Sequence, residues 1–353
     1  MAKQKIALLR LSALGDVCLI TPLVHELAAY FPDAEIDWVI DKANLPLVKD
    51  FPGCRLLPIE KPRSLVDYWR LFKQFRSSKY DILLVAQANF RVNCLSRCIR
   101  AKKRYGFGAL HSRDAHFLFV NHHVASYPEH LTDAFMRFGQ ALGIGCPAIK
   151  WALPMDQEAD TWARMLLSKQ SFTLAVCLSA SKSERDWPIE HWIALLQRLN
   201  ERYSINIIAI GGGAPRELAQ AKVLVGQCGF VQNFVGKTSI EQLKALIEHA
   251  DALISPDTAP VHIAVAVNTP VIGLYAVAPM AKTGPYKDAR WSVDCYDLAV
   301  KQYLNKDPQA VSWRQRVHHP KAMSLITVDA VDEKCTKLFF SLGLSKRVAV
   351  SKT

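Results

Sequence analysis

Short apolar runs alternate with longer segments in which apolar residues recur at helical spacing. Such runs, rich in Val, Ile and Leu, are typical of buried parallel strands. The predicted strands are 5–9, 35–40 and 81–86 in the first half of the chain, and 173–178, 205–210, 252–255 and 271–275 in the second. Because helical patterns separate the strands, we predict an α/β fold in which both halves form doubly wound parallel sheets.

A Pro-containing segment, 146–156, separates two helical patterns and is the predicted linker between two domains. A chain of 353 residues also exceeds what one hydrophobic core usually serves. We therefore predict an N-terminal domain over 1–155 and a C-terminal domain over 156–325. A last helical pattern predicts a closing helix within 326–353, and we expect this segment to pack back toward the N-terminal domain.

The bulk composition narrows the class of protein. No apolar stretch reaches the roughly 18 residues of a membrane-spanning helix, and the first ten residues do not predict a secretory signal. The nine cysteines contain no Cys-x-x-Cys pair, which favours reduced thiols in the cytoplasm. The net charge of +12 favours an anionic partner, which could be nucleic acid, anionic lipid or a phosphorylated sugar. Many of the cations fall in 91–113, although a solvated surface would explain such a run equally well.

The first strand runs into Arg10-Leu-Ser-Ala-Leu-Gly-Asp and then into a helix. Ligands of parallel sheets bind at such strand-to-helix turns. Asp16 stands at the mouth of the helix, where capping is the more common role of an aspartate and contact with a ligand is the alternative. The turn lacks Gly-x-Gly-x-x-Gly, so it is not a nicotinamide-binding fingerprint.

Three turns of the second half offer groups that suit a nucleotide. Ser181, Lys182 and Arg185 follow a buried strand and could donate to phosphate oxygens. The triple glycine 211–213 permits a sharp turn, and Glu217 after it could accept from ribose hydroxyls or be an ordinary helix-start glutamate.

The most informative turn is Ser255-Pro-Asp-Thr-Ala-Pro-Val-His. The amides of Thr258 and Ala259 would face an anion at the start of a helix. His262 lies one turn further and could add a donor, although a lone histidine is more often a satisfied core residue. The presence of Asp257 and Thr258 in the same turn favours a binding role for His262.

Taken together, these segments resemble the bacterial heptosyltransferases of glycosyltransferase family nine. Five segments carry the resemblance: the Arg10-Leu-Ser-Ala-Leu-Gly-Asp turn, Trp187-Pro-x-x-His-Trp, Gly236-Lys-Thr-Ser, the Ser255-Pro-Asp-Thr-Ala-Pro-Val-His turn and Thr269-Pro-Val-Ile-Gly-Leu-Tyr. The motifs stand in the order of the family and span residues 5 to 275.

The resemblance implies a GT-B architecture, in which two Rossmann-like domains face a cleft. It also implies heptose transfer from ADP-heptose, with inversion, onto the Kdo-bearing lipid A inner core of lipopolysaccharide. Asp16 would then be the general base. The donor would be bound by residues of the second half, namely Ser181, Lys182, Arg185, Glu217, Val235, Asp257, Thr258, Ala259 and His262.

An anionic acceptor would explain the basic first half, where the candidate acceptor-binding residues are Arg63, Arg97, Arg104 and Arg113. Neither a metal nor a cofactor is predicted beyond the nucleotide-sugar co-substrate. We expect a cytoplasmic enzyme that visits the inner face of the inner membrane transiently. A related transferase with a hexose donor, and a non-catalytic nucleotide-binding protein, are the alternatives. A nucleic-acid binder lacks the basic and aromatic interleaving of a known module.

Overall fold

The computed structural model describes residues 3–167, 171–286 and 288–346. The chain divides into two compact units between Pro154 and Met155. The elements of the first domain are β1 (Lys5–Leu9), α1 (Leu14–Leu19), α2 (Thr21–Tyr30), β2 (Glu35–Asp41), α3 (Leu45–Val48), β3 (Arg55–Ile59), α4 (Leu65–Phe75), β4 (Lys79–Val85), α5 (Phe90–Cys98), β5 (Arg100–Gly106), β6 (His122–His123) and α6 (Leu131–Gln140).

The six strands of the first domain form one parallel sheet in the order β3-β2-β1-β4-β5-β6. β1 lies at its centre, where Lys5 pairs with Glu35 of β2 and Ile6 pairs with Ile82 of β4. The side chains of β1 after Lys5 are fully buried, as expected for a central strand covered on both faces.

The second domain repeats this design. Its elements are α7 (Gln157–Leu166), β7 (Phe172–Cys177), α8 (Ile189–Arg202), β8 (Ile205–Ile210), α9 (Pro215–Gln227), β9 (Val231–Asn233), α10 (Ile240–His249), β10 (Ala252–Pro256), α11 (Ala259–Ala266), β11 (Val271–Tyr275), α12 (Met280–Thr283), β12 (Val293–Asp294), α13 (Tyr296–Ala299) and α14 (Val328–Ser341). The parallel sheet has the order β12-β11-β10-β7-β8-β9. Counted within its own domain, this is the strand order of the first sheet, so both domains are doubly wound.

The sequence identified the central strands and missed the outer ones. The predicted strands 5–9, 205–210 and 271–275 match β1, β8 and β11 in both bounds. β5 was missed because its sequence, RAKKRYG, is dominated by cations on a partly exposed strand. Strand propensity rests on side chains that fit a half-buried surface, and long cations supply only their stems to it.

The closing helix contributes its apolar stripe to the second domain. Val331, Cys335, Leu338 and Phe339 of α14 are buried in the core of the second domain, beside α8 and the β11–β12 edge. The expected packing of the segment 326–353 toward the N-terminal domain stays a prediction. The end of the predicted segment, beyond residue 346, lies outside the described residues. Within the described ranges, none of the helices is long and apolar enough to cross a membrane.

Candidate active site

Each sheet has a point where the strand order reverses, and the predicted site residues gather at these two points. In the first sheet the reversal lies between β1 and β4, and in the second between β7 and β10. Loops diverge there at the carboxyl ends of the strands and leave a crevice for ligands. Asp16 follows β1, whereas Arg185 and Asp257 follow β7 and β10.

Asp16 is held by Arg10, the first residue of the same turn, which was not among the predicted site residues. Arg10 is 6% exposed; its Nη2 pairs with Asp16 Oδ2 and its Nη1 donates to the carbonyl of Ala86 at 2.6 Å. Burial lowers the pKa of Arg10 from its usual value, and the Asp16 carboxylate partly offsets that shift. The guanidinium also stacks 5.1 Å from the ring centroid of Phe135. Asp16 is thus fixed in orientation by a buried cation.

The turn that carries Asp16 is bonded across the strand reversal. Gln87, which follows β4, accepts from the amides of Leu11 and Ser12 through Oε1 at 2.9 and 3.2 Å. Asn44 Nδ2 donates to the carbonyl of Leu11 at 2.7 Å, and Trp38 Nε1 donates to that of Arg10 at 3.2 Å. Side chains from β2 and from the segments that follow β2 and β4 therefore determine the course of this loop.

Capping and ligand contact turn out to be compatible roles for Asp16. Its Oδ2 accepts from the amide of Ala13 at 3.2 Å, which is one half of a capping box at the start of α1. Ala13 has no side-chain acceptor to supply the other half. Oδ1 makes no hydrogen bond within the described part of the chain, and the side chain is 30% exposed. One carboxylate oxygen is thus anchored and the other is available.

Two of the four candidate acceptor arginines lie at the same sheet edge as Asp16. Arg63 follows β3 and Arg113 follows β5, and both are exposed. Arg63 borders a cavity of about 780 Å³, to which Lys42, Lys61 and Arg70 also contribute. These three cations pair with Glu60, Asp41 and Asp67, whereas no ion pair of Arg63 occurs among the described residues.

The other two arginines lie elsewhere. Arg104 donates from Nη1 to the carbonyl of Ser96 at 2.6 Å and from Nη2 to that of Ile99 at 2.5 Å. These are the last carbonyls of α5, so Arg104 caps that helix and is corrected from acceptor binding to a structural role. Arg97 is on the last turn of α5. Because α5 runs back toward the start of β5, this turn lies at the end of the sheet opposite to the edge that carries Asp16.

The Arg113 loop is attached to α5 by a buried histidine. His116 Nε2 accepts from the amide of Phe107 at 3.2 Å, and its Nδ1 faces Asn93 Oδ1 at 2.7 Å. Asn93 in turn donates to the carbonyl of Asp114 at 2.9 Å. The ring is therefore the neutral tautomer with its proton on Nδ1, and burial lowers the pKa of His116 to about 4.

This histidine makes the stability of the first domain sensitive to acid. The folded pKa lies below the value of about 6.5 in an unfolded chain, so the unfolded state binds the proton first. We expect full stability above about pH 6.5 and a loss approaching about 3 kcal/mol as the pH falls to about 4. Urea unfolding across this range should show a shallower pH dependence for His116→Gln than for His318→Gln, which alters an exposed histidine. Equal slopes for the two variants would contradict this assignment.

The second domain assembles an arginine, a serine and an aspartate across its own strand reversal. Arg185 Nη1 donates to the carbonyl and to Oδ2 of Asp257 at 2.7 and 3.0 Å, and its Nη2 donates to Ser181 Oγ at 2.7 Å. Its Nε is buried and has no hydrogen-bond partner in the part of the chain described. A buried guanidinium nitrogen of this kind is suited to an anionic ligand.

A helix N-terminus completes this site. Thr258 is the N-cap of α11 but makes no side-chain capping bond, and Pro260 in the first turn has no amide hydrogen. The amides of Thr258 and Ala259 are therefore the groups that an anion would meet. His262 is buried on the first turn of the same helix, directly after this start.

Hydrogen bonds and an ion pair that were not predicted from the sequence stabilise the loop that carries Arg185. Asp186 accepts from the amide of Ala180 at 2.8 Å and from Gln220 Nε2 at 3.1 Å, and it pairs with Arg216. Gln220 also bonds Ser179. Lys182, by contrast, is exposed, and no hydrogen bond of its side chain occurs among the described residues.

Glu217 lies beneath the triple glycine. A Cβ on Gly212 would come within 2.6 Å of Glu217 Oε2, an oxygen that is buried and unpartnered among the described residues. Gly211 packs toward Val235, and the next residue, Gly236, has φ +71°, a conformation that favours glycine. A carboxylate acceptor beside an apolar side chain and open backbone is suited to a nucleoside.

One of these contributors carries a signal that sequence reasoning could have used. Arg10 is a cation directly after a continuous apolar strand, which places it at the ligand edge of the sheet. Asp186, Arg216 and Gln220 carry no such signal, because their role arises only where the loop after β7 meets helix α9.

Comparison with known proteins identifies the family. The model of glycosyltransferase family 9 (heptosyltransferase) matches residues 68–305. The lipopolysaccharide core heptosyltransferase OpsX of Haemophilus influenzae is 33% identical over 96% of this chain and 97% of its own length.

Solved structures have the same fold. A family 9 glycosyltransferase from Veillonella parvula matches with a TM-score of 0.75 at 18% identity, over 96% of this chain and 97% of its own. E. coli heptosyltransferase WaaC with ADP-2-deoxy-2-fluoro heptose matches with a TM-score of 0.69 at 22% identity, over 95% and 99% of the two chains. The predicted GT-B class, with two doubly wound α/β domains, is confirmed. The chain belongs to glycosyltransferase family 9, the heptosyltransferases, and is a glycosyltransferase.

Proposed function

We propose that this enzyme transfers heptose from ADP-heptose to the Kdo-bearing lipid A inner core of lipopolysaccharide, with inversion and with Asp16 as the base. The observation that carries the proposal is the pairing of two different sites on one chain. The first domain presents a carboxylate with one anchored and one available oxygen, and the second presents an arginine and a helix start suited to a diphosphate.

The acceptor half of the reaction belongs to Asp16. An acceptor hydroxyl attacks the anomeric carbon, and Asp16 Oδ1 takes the hydroxyl proton as the new C–O bond forms. Arg10 and the amide of Ala13 hold Oδ2 of Asp16, so the carboxylate is already oriented before the acceptor binds. The carboxylic acid returns its proton to solvent after the product leaves.

The donor half belongs to the second domain. The bond between the anomeric carbon and the diphosphate breaks, and its electron pair leaves with ADP. Arg185, with the amides of Thr258 and Ala259, offsets the negative charge that grows on that leaving group. Fixed donors are most effective here, because the charge is larger in the transition state than in the bound donor.

The nucleoside half of the donor fits the glycine loop. Glu217 Oε2 would accept from the ribose hydroxyls, which would satisfy a buried oxygen that otherwise lacks a partner in the described structure. Val235 is buried beside Gly211 and offers the apolar contact that an adenine ring needs. His262 and Ser181 would support the phosphates, and Lys182 would add only a solvent-exposed charge.

The acceptor explains the basic character of the first domain. Arg63 and Arg113 are exposed cations at the edge that carries Asp16, and they would meet the phosphates and carboxylates of the lipid A core. A lipid-anchored acceptor also implies a cytoplasmic enzyme that works at the inner face of the inner membrane.

A donor panel tests this function. Purified enzyme is incubated with Kdo-lipid A and, separately, with ADP-heptose, ADP-glucose and UDP-glucose, and products are identified by mass spectrometry. We expect transfer from ADP-heptose at least about tenfold faster than from either hexose donor, as for a site built around substrate hydroxyls. Faster transfer from a hexose donor would overturn the proposed sugar while leaving the enzyme class intact.

A further inference from the structure

The outward face of helix α4 carries an exposed apolar stripe. Leu65, Trp69 and Phe72 follow one another at helical spacing and therefore share one side of the helix. Their exposed fractions are 87%, 56% and 47%, and the neighbouring Val66 is 55% exposed. Single exposed apolar residues are ordinary, but a contiguous stripe on one helix marks an interaction surface.

The first domain does not use this stripe for its own packing. The inward face of α4 is formed by Leu71 and Phe75, which are buried in the first core cluster, with Tyr68 packed at its border. Tyr68 also donates to the carbonyl of Arg91 on α5 at 3.1 Å. The helix is therefore already attached to its domain by another side, and no packing contact of the outer apolar residues with the core occurs in the part of the first domain that the structure describes.

Cations border the stripe. Arg70, Lys73 and Arg76 are exposed on or directly after α4, and Lys73 Nζ lies 3.6 Å from the ring centroid of Trp69. The one acidic residue of the helix, Asp67, is engaged by the amides of Arg63 and Ser64 at 2.9 Å each. A short helix with tryptophan, phenylalanine and leucine flanked by lysine and arginine is suited to the interface of an anionic bilayer.

We infer that the outer face of α4, formed by Leu65, Val66, Trp69 and Phe72, docks on the surface of an anionic lipid bilayer. The inference rests on the proposed function in one respect, which is that the acceptor is lipid-anchored. The flank of α4 that carries Arg70 and Gln74 lines the cavity bordered by Arg63. A docked α4 would thus bring the polar head of the acceptor to this cavity while its acyl chains stay in the bilayer.

Vesicle flotation tests the docking surface directly. The full chain is mixed with vesicles of phosphatidylethanolamine containing about a quarter phosphatidylglycerol, a composition whose charge attracts basic segments, or with phosphatidylcholine alone. The doubly substituted variant Trp69→Ser, Phe72→Ser should lose at least about tenfold of the partition coefficient for the anionic vesicles. Lys73→Glu with Arg76→Glu should weaken the same binding and reduce its dependence on salt.

Phe340→Ser is the matched control, because Phe340 is 83% exposed on α14 of the second domain. It should bind vesicles as the wild type does. The inference is overturned if the Trp69/Phe72 variant binds like the wild type, or if ultracentrifugation shows that these substitutions only dissociate a dimer. The Trp69→Ser, Phe72→Ser variant should transfer heptose to a detergent-dispersed acceptor at the rate of the wild type. Vesicle binding without any transfer by the wild type would instead refute the proposed function and leave the docking surface standing.

Discussion

Asp16→Asn is expected to slow heptose transfer at least about hundredfold, because an amide cannot take the proton of the attacking hydroxyl. The substitution preserves the shape of the side chain and removes its charge. The affinity for ADP should stay within about twofold of the wild type, since the donor residues lie in the second domain. Transfer rates with saturating donor and calorimetric titration with ADP measure the two effects separately.

A cap variant separates catalysis from helix stability. Asp156 caps α7 by accepting from the amide of Ala159 at 2.9 Å, and Asp156→Asn should leave transfer unchanged. Asp16→Asn also leaves the buried Arg10 without its carboxylate, so a loss of about 1–3 kcal/mol in stability is expected as well. Wild-type transfer by a folded Asp16→Asn enzyme would mean that Asp16 is only a cap.

Arg185→Ala should lower kcat/KM for the donor at least about hundredfold, the usual effect of removing a fixed donor from a developing anion. Arg185→Lys should recover part of this loss, because a lysine keeps the charge but cannot bond Asp257 and Ser181 together as the guanidinium fork does. Steady-state kinetics with varied ADP-heptose measures both variants.

The control for Arg185 is another arginine–aspartate pair of the same domain. Arg198 on α8 pairs with Asp329 on α14, and both are substantially exposed. Arg198→Ala should change kcat/KM by less than about twofold, as expected for a surface ion pair. If Arg185→Ala retained wild-type kinetics at a temperature where it is folded, the donor site would have to lie elsewhere.

The sequence predicted the central parts of the fold and placed the candidate site residues at the ends of the central strands, because both depend on local patterns. Buried parallel strands are continuous apolar runs, and the turns that follow them carry the ligand groups. Asp16, Arg185 and Asp257 could therefore be located from the order of strand, turn and helix alone. β5 escaped because a strand made mostly of cations resembles a solvated charge run.

Long-range partners could not be predicted in the same way. Arg104 was counted as a surface charge, yet its guanidinium is bonded to carbonyls at the end of α5. The ion pair of Asp186 with Arg216 joins residues that α8 and β8 separate in the chain, and no spacing rule connects them. The helical stripe of α14 likewise shows that one face is buried without showing which elements cover it, and these are α8, β11 and β12.

The anomeric configuration of the product tests the central claim most directly. ADP-heptose of defined configuration is converted by the wild-type enzyme, and the new glycosidic bond is assigned by NMR. A single displacement with Asp16 as base predicts that the product has the configuration opposite to that of the donor. A product that retains the configuration of the donor would exclude a single in-line displacement and would contradict the role of Asp16.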